Sequence, residues 1–428
     1  MTIRRLLLLA CLLAPSAAVC EDFESWKADF IKHAVRQGIA EDLAHTALDA
    51  VVPDPKVIEL DRAQPEFFKG PGAYVTMMVS DARTQRGRAL LLENVALLDH
   101  LERHTGVTGT LPVAVWGVET AFGSNMGSMD VVRSLATLAY DGRRRQWAED
   151  ELVSALKLIA RGQAPLGFAG SWAGAFGHTQ FMPSSALKLA VDGDGNGSKD
   201  LYTPADALAS AAYYLQKSGW RRGEPWVAEV TLPVGVVPNP EHSQSVKDWL
   251  ADGLTRPNAT PWQATWMDLP AKVLLPTGRD GPAFLIFRNF EVIKRYNAST
   301  SYALSVGLLA NRISGDGPVS VAWPDVKLSR ADVIALQNQL TQRGYDVGSP
   351  DGQMGPKTRA ALADFQTANG LPADGFPSAQ TLVVLKTGAS APAPSPVEAA
   401  VVSPVQAQPS VAVPEPEKPK RKRFRLHP

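Results

Sequence analysis

The sequence predicts a mainly helical protein: a large helical unit with a small strand- and loop-rich insertion near its end, then a small three-helix unit. Three observations carry this. Apolar residues recur at helical spacing through the first half; residues 225 to 290 turn rich in Val, Pro and Thr; and after Gly315, Gly317 and Pro318 a segment from about 325 to 387 brings its own helix signals. A chain of 428 residues exceeds one ordinary domain, and a hydrophobic content of 45% suits a globular protein with substantial cores.

Taken in order, Arg4 and Arg5, the apolar run Leu6 to Leu13 and the small residues Ala14, Ser16, Ala17 and Ala18 have the layout of a secretory signal peptide over residues 1–20. Export to the periplasm is the expectation. Only Cys11 and Cys20 exist, so a mature chain beginning near residue 21 holds no internal disulfide. Cys20 is a candidate for acylation and an outer-membrane anchor, although Val19 before it is a poor match to the small residue such processing prefers. Phe23, Trp26, Phe30 and Ala34 then mark a helix, and Leu91, Val95 and Leu98 a longer one ending at Gly106. Further helices are expected over Asp130–Tyr140, Arg144–Ala160 and Thr203–Lys217, with Pro204 in a first turn. Ala228–Leu232 and Ala283–Phe287 read as short strands, followed by a helix containing Tyr302 to Leu309. In the last unit Ser329 and Asp332 form a capping box, Gly344 ends that helix, Pro356 opens a second through Phe365, and Ser378 caps a third. Residues 388–428 are Pro/Ala-rich and cannot bury a core; Lys418, Lys420, Arg421, Lys422, Arg423 and Arg425 give this tail a basic end, read as solvated charge.

Glu119 lies within Trp116-Gly117-Val118-Glu119-Thr120-Ala121-Phe122-Gly123. With Pro112 as a first helical residue and Gly123 as a left-handed stop, Glu119 falls in the last turn, where the helix dipole opposes ionisation. Desolvation by Trp116, Val118 and Phe122 acts in the same direction. A carboxyl that keeps its proton near neutral pH is what a general acid requires, whereas a Glu at a helix end is otherwise a surface side chain.

Ser171 to Ser185 follows neither helical nor strand periodicity. Small residues at 173, 174, 175 and 177 would let a ligand approach the backbone; Trp172 and Phe181 could face sugar rings, and Ser171 and Gln180 could bond hydroxyl or amide groups. A tightly packed loop is the alternative. Asp192-Gly193-Asp194-Gly195-Asn196-Gly197-Ser198 spaces oxygen-bearing side chains as an EF-hand-type calcium loop does, with Thr203 where a bidentate Glu belongs. Closure would fall to Asp200 or Asp206, and Asp206 already completes a capping box with Thr203. The candidate structural calcium ligands are thus Asp192, Asp194, Asn196, Ser198 and Asp206, against a metal-free Asp-Gly turn.

Other classes find little support. There is no HExxH, no G-x-S-x-G and no cysteine in the body of the fold; Gly352 to Thr358 has the wrong spacing for a phosphate loop. The isolated histidines read as surface or packing residues. With 43 basic and 43 acidic side chains, no bulk charge points to nucleic acid.

The stretch around Glu119, residues 171 to 185, the Asp-Gly loop, and Arg295-Tyr296-Asn297 with Tyr302 occur in an order that resembles the membrane-bound lytic murein transglycosylase B family, over about residues 22 to 315. Residues 329 to 386, with Pro350-Asp351-Gly352, Phe365-Gln366 and Asp374-Gly375, resemble the small peptidoglycan-binding domain. The resemblance implies a lysozyme-like catalytic domain over 21–318 and a wall-binding domain over 325–387. It implies Glu119 as sole catalytic acid/base, and Ser171, Gln180, Tyr214, Tyr296, Asn297 and Tyr302 as residues lining a saccharide groove. It further implies cleavage of the β-1,4 bond between N-acetylmuramic acid and N-acetylglucosamine in peptidoglycan glycan strands, leaving 1,6-anhydro ends, with no cofactor required for the chemistry. Phe176 stands where the family commonly has Met, a difference of packing.

Overall fold

A computed structural model describes residues 22–388 except 64–69, 235, 258–259, 325 and 327; the leader, Cys20 and the basic tail lie outside the described residues. The chain is mostly helical, with a two-stranded and a four-stranded antiparallel sheet.

The first helix, Phe23–Arg36, is capped by the Asp22 side chain, which accepts from the Ser25 amide. It buries Trp26, Phe30 and Ala34 on one face. The expected long helix through Leu91, Val95 and Leu98 is instead two, Asp81–Glu93 and Val95–Thr105. Asn94 divides them: its backbone leaves helical geometry and its Nδ2 donates to the Leu90 carbonyl. The break rotates the buried face, so Val95 is exposed and Leu97, Leu98 and Leu101 form the stripe.

Two hydrophobic cores flank the site. One gathers Val95–Thr105, Thr110–Thr120, Pro204–Lys217 and Thr300–Ser314; the other gathers the N-terminal helices with Val131–Asp141, Arg145–Ala160 and the loop reaching Phe181. Tyr296 packs against both, which places it at their boundary. Each fully buried Leu or Val contributes roughly 1.5–3 kcal/mol. No helix among the described residues is long and apolar enough to cross a membrane.

The insertion is the four-stranded sheet, in the order Val227–Val230, Ala283–Ile286, Pro270–Leu274, Ser243–Ser245. Val230 pairs with Ala283, and Leu274 with Phe284. Alternate residues feed a small core around Trp249 and Leu285. The last helices, Arg330–Gln342, Pro356–Ala368 and Ala379–Thr387, enclose their own core of Leu336, Leu340, Leu362 and Phe365. The Ser329–Asp332 capping box is formed in both directions.

Candidate active site

The helix Thr110–Thr120 is apolar on all sides and almost wholly buried, as a central helix must be. It starts two residues before Pro112, which therefore sits third, still among the amides that lack an intrahelical partner. Its end also differs from expectation. Ala121 (φ 48) and Phe122 (φ 60) turn left-handed before Gly123 (φ 86) does. For non-glycine residues this costs roughly 1–2 kcal/mol each. Thr120 braces the strained turn and ties it to the neighbouring loop: its Oγ1 accepts from Gly123 N at 3.0 Å and donates to the His178 carbonyl at 2.7 Å. The third non-glycine residue with positive φ among the described residues, Gln180 (φ 50), belongs to that same loop. Backbone strain thus concentrates around Glu119.

Glu119 is half-buried, keeping an accessible edge. Burial pushes its carboxyl up to about 7, against a hydrogen bond from the Tyr302 hydroxyl at 2.6 Å that favours the charged form. Tyr302 is only 2% exposed and stacks on Tyr296 with ring centroids 6.5 Å apart. Tyr296 donates its hydroxyl to the Thr179 carbonyl, and Tyr214, 4.7 Å from Tyr296 between ring centroids, donates to the Arg295 carbonyl. The three tyrosines form a continuous row from Glu119 outward, two of them anchored through backbone carbonyls. Burial raises all three phenols, so each stays protonated as a donor.

Of the other expected groove residues, Ser171 accepts from Ala175 N through Oγ and so shapes its own turn. Gln180 commits its amide nitrogen to the carbonyls of Met126 and Gly177. Asn297 is exposed, just past the helix Arg288–Tyr296, and its Oδ1 accepts from Ser299 N. Trp172 is half-buried. Phe181 does not face a ligand: it is 2% exposed, edge-on to Tyr214 and Tyr296, and serves the packing beneath the row.

Sequence reasoning missed His178. Its Nδ1 accepts from Trp116 Nε1 at 3.0 Å, its carbonyl accepts from Thr120, and its amide donates to the Leu201 carbonyl. Burial lowers its pKa, favouring the neutral ring that can accept from an indole. The signal was Gly123: a Cβ there would lie 2.5 Å from His178 Cε1, so the left-handed glycine also makes room for the ring.

The Asp-Gly loop brings Asp192, Asp194 and Asp206 together, with one carboxylate oxygen of each within 4.8 Å of the others. Asp206 does not cap the helix Pro204–Lys217. Its oxygens accept instead from Gly193 N and Asp200 N, both at 2.7 Å, bracing the loop across its base. Asn196 turns Oδ1 to the Ser198 amide and donates through Nδ2 to Asp194, and Ser198 is exposed. Burial first, then the charges of Asp194 and Asp192, raise the Asp206 carboxyl. Three hard oxygen donors facing one another are a donor set that fits calcium.

A half-buried carboxyl at the end of a central helix, a tyrosine row and a strained glycine-rich loop are the parts of a helical glycan-cleaving fold. The chain belongs to the transglycosylase SLT domain family, whose model matches residues 22–311, and residues 329–385 match the peptidoglycan binding domain. It is 36% identical over 224 residues to membrane-bound lytic murein transglycosylase B of Escherichia coli K12, covering 50% of this chain and 60% of that protein. SltB3 from Pseudomonas aeruginosa, solved in complex with NAG-NAM-pentapeptide, superimposes with a TM-score of 0.81 at 42% identity, over 85% of this chain and 100% of the other. Escherichia coli Slt35 in complex with calcium gives 0.58 at 30% identity, over 67% of this chain and 92% of the other.

Proposed function

We propose that this chain is a lytic transglycosylase that cleaves the β-1,4 bond between N-acetylmuramic acid and N-acetylglucosamine in peptidoglycan and leaves 1,6-anhydro ends. The observation that carries it is Glu119 itself, a carboxyl pushed up to about 7 by burial against the restraining hydrogen bond from the Tyr302 hydroxyl, which is the condition of a general acid. Glycosidases that use water or a covalent intermediate work with paired carboxyls, one of them a base or nucleophile. An intramolecular nucleophile removes that need.

In this reading Glu119 gives its proton to the glycosidic oxygen as the bond from C1 breaks. The Tyr302 hydroxyl, donating to Oε1, stabilises the carboxylate that remains. That carboxylate takes the proton of the muramyl C6 hydroxyl as its oxygen closes on C1, so Glu119 ends the cycle protonated and no water is consumed. Ser171, Gln180, Tyr214, Tyr296 and Asn297 hold the strand, and Tyr302 positions the acid. Holding the C6 hydroxyl over C1 lowers the entropic cost of closure.

SltB3 supports the reading, since its solved complexes hold NAG-NAM-pentapeptide and NAG-anhNAM-pentapeptide. We further propose periplasmic action, a catalytic unit over 21–318, a wall-binding unit over 325–387, and structural calcium held by Asp192, Asp194 and Asp206, with Asn196 and Ser198 on the loop. Mass spectrometry of digested sacculi tests the reaction. Anhydro ends are expected; hydrated reducing ends would assign a muramidase, and no released fragments would leave a binding scaffold.

A further inference from the structure

The Glu119 helix and the glycine-rich loop meet at His178, which is bonded at three points. Its amide donates to the Leu201 carbonyl at 2.9 Å, its carbonyl accepts from Thr120 Oγ1 at 2.7 Å, and its ring Nδ1 accepts from Trp116 Nε1 at 3.0 Å. An Nδ1 that accepts leaves the ring proton on Nε2, and burial favours this neutral form.

Trp116 carries that grip to Glu119. Its carbonyl accepts the amides of Ala121 and Phe122, the two left-handed residues that follow the helix of the acid. Trp116 is 4% exposed, and its ring lies perpendicular to Phe122 and to His178, at 5.9 and 5.2 Å between centroids. It precedes Glu119 by three positions, so the two side chains share a helix face and the indole adds to the apolar cover that keeps the carboxyl protonated. An indole has one donor and no acceptor, so the orientation of a buried one is set by the single atom that receives its N–H. That atom is Nδ1 of His178.

We propose that His178 is a positioning residue for Glu119, fixing the Trp116 indole beside the acid through Nδ1 and the turn behind it through the bond from Thr120. The proposal rests on the reading of Glu119 as the general acid of glycan cleavage. His178 itself moves no proton in the reaction. Without the acceptor the indole N–H would be buried and unpaired, and the ring would turn to reach water. Water beside Glu119 relieves part of its desolvation and lowers its pKa, opposite in sign to loss of the Tyr302 hydroxyl. A residue that only held the loop together would change the amount of folded enzyme and leave the pH dependence of the acid where it was.

The test compares two variants of the full chain on solubilised peptidoglycan: His178→Leu, which removes the acceptor, and His178→Asn, whose Oδ1 can stand in for Nδ1. In His178→Leu the alkaline limb of the kcat/KM profile should move to lower pH, and kcat should fall ~10-fold with KM little changed. His178→Asn should return the limb toward its wild-type position and recover most of kcat. In a Trp116→Phe background, which lacks the indole N–H, His178→Leu should add little to either effect. The Trp116 indole resonance, assigned in a proton–nitrogen correlation spectrum by its loss in Trp116→Phe, should shift in the Leu variant and hold in the Asn variant. An unmoved limb in His178→Leu, an equal shift in both variants, or additive effects of His178→Leu and Trp116→Phe would overturn the role of His178 while the glycan reading stands. If His178→Leu does not fold, His178→Gln, which carries its acceptor one bond too far, replaces it in each comparison. A wild-type chain that releases no sugar fragments would overturn both.

Discussion

Tyr302 places its hydroxyl 2.6 Å from Oε1 of Glu119, across 183 residues of sequence, and the two groups act on the proton in opposite directions. Burial raises the carboxyl to about 7; the phenol, by donating to the carboxylate, restrains the rise. Tyr302→Phe should therefore move the pKa of Glu119 above its present value. Since the general acid works protonated, the alkaline limb of the kcat/KM profile should shift to higher pH, with the maximum rate falling ~10-fold as the stabilised carboxylate is lost. A profile that keeps its alkaline limb in place would remove Tyr302 from the proton's account.

The same burial makes Glu119 a stability liability at high pH. Below about 4.5 the group is protonated in folded and unfolded chains alike; between there and about 7 the unfolded chain releases the proton first, so folding stability declines across that window. Glu119→Gln removes this dependence. Its folding stability relative to wild type should rise from pH 5 to pH 7.5, by an amount on the order of 2–3 kcal/mol, while turnover falls at least ~100-fold. Calorimetry at both pH values checks the first effect and sacculus digestion the second.

How much of this was legible in the sequence follows from which forces were local. The helix of Trp26, Phe30 and Ala34, the Ser329 capping box and the strand at Ala283 depend on near neighbours, and each could be read from spacing. Glu119 was legible because its apolar frame is contiguous. His178 was not, since its role is a bond to Trp116 made 62 residues away, and no periodicity records it. Asp206 was misread for a related reason. The Thr203-x-x-Asp206 pattern is a sound local signal, yet two loop amides outcompeted the cap for its oxygens.

Calcium should act on this site at a distance. The Asp-Gly loop leads to Leu201, whose carbonyl receives the His178 amide, and His178 receives the Trp116 indole one helical turn from Glu119. Added calcium should raise the melting temperature of wild type, and a chelator should reverse it. Asp194→Asn removes one of the three carboxylates without disturbing the Asp206 brace, and should abolish most of the shift. The stabilisation should shrink as pH falls, because Asp206, its carboxyl raised by burial and by its charged neighbours, must be deprotonated to bind metal. Thermal shifts with and without chelator over a series of pH values check both points.

Gly127 offers a test of whether the strained loop and the Glu119 helix work as one unit. It lies between them, with φ +85, and a Cβ there would sit 2.1 Å from the Gly170 carbonyl oxygen and 2.7 Å from Ser171 N. Both obstacles are backbone, so no side chain can swing aside. The neighbouring strands Met129–Asp130 and Ala169–Gly170 are only two residues each and have little else to hold their register. Gly127→Ala should therefore part the strands or displace residues 171–181, at a cost of roughly 2–4 kcal/mol from the left-handed backbone and the collision together. Displacing that loop also draws the His178 carbonyl from Thr120 and the Thr179 carbonyl from Tyr296. Activity should consequently fall by more than the loss of folded protein explains, even at temperatures where the variant is fully native. Denaturant unfolding paired with turnover at low temperature separates the two effects, and a variant destabilised but fully active when folded would show the loop to be scaffolding alone.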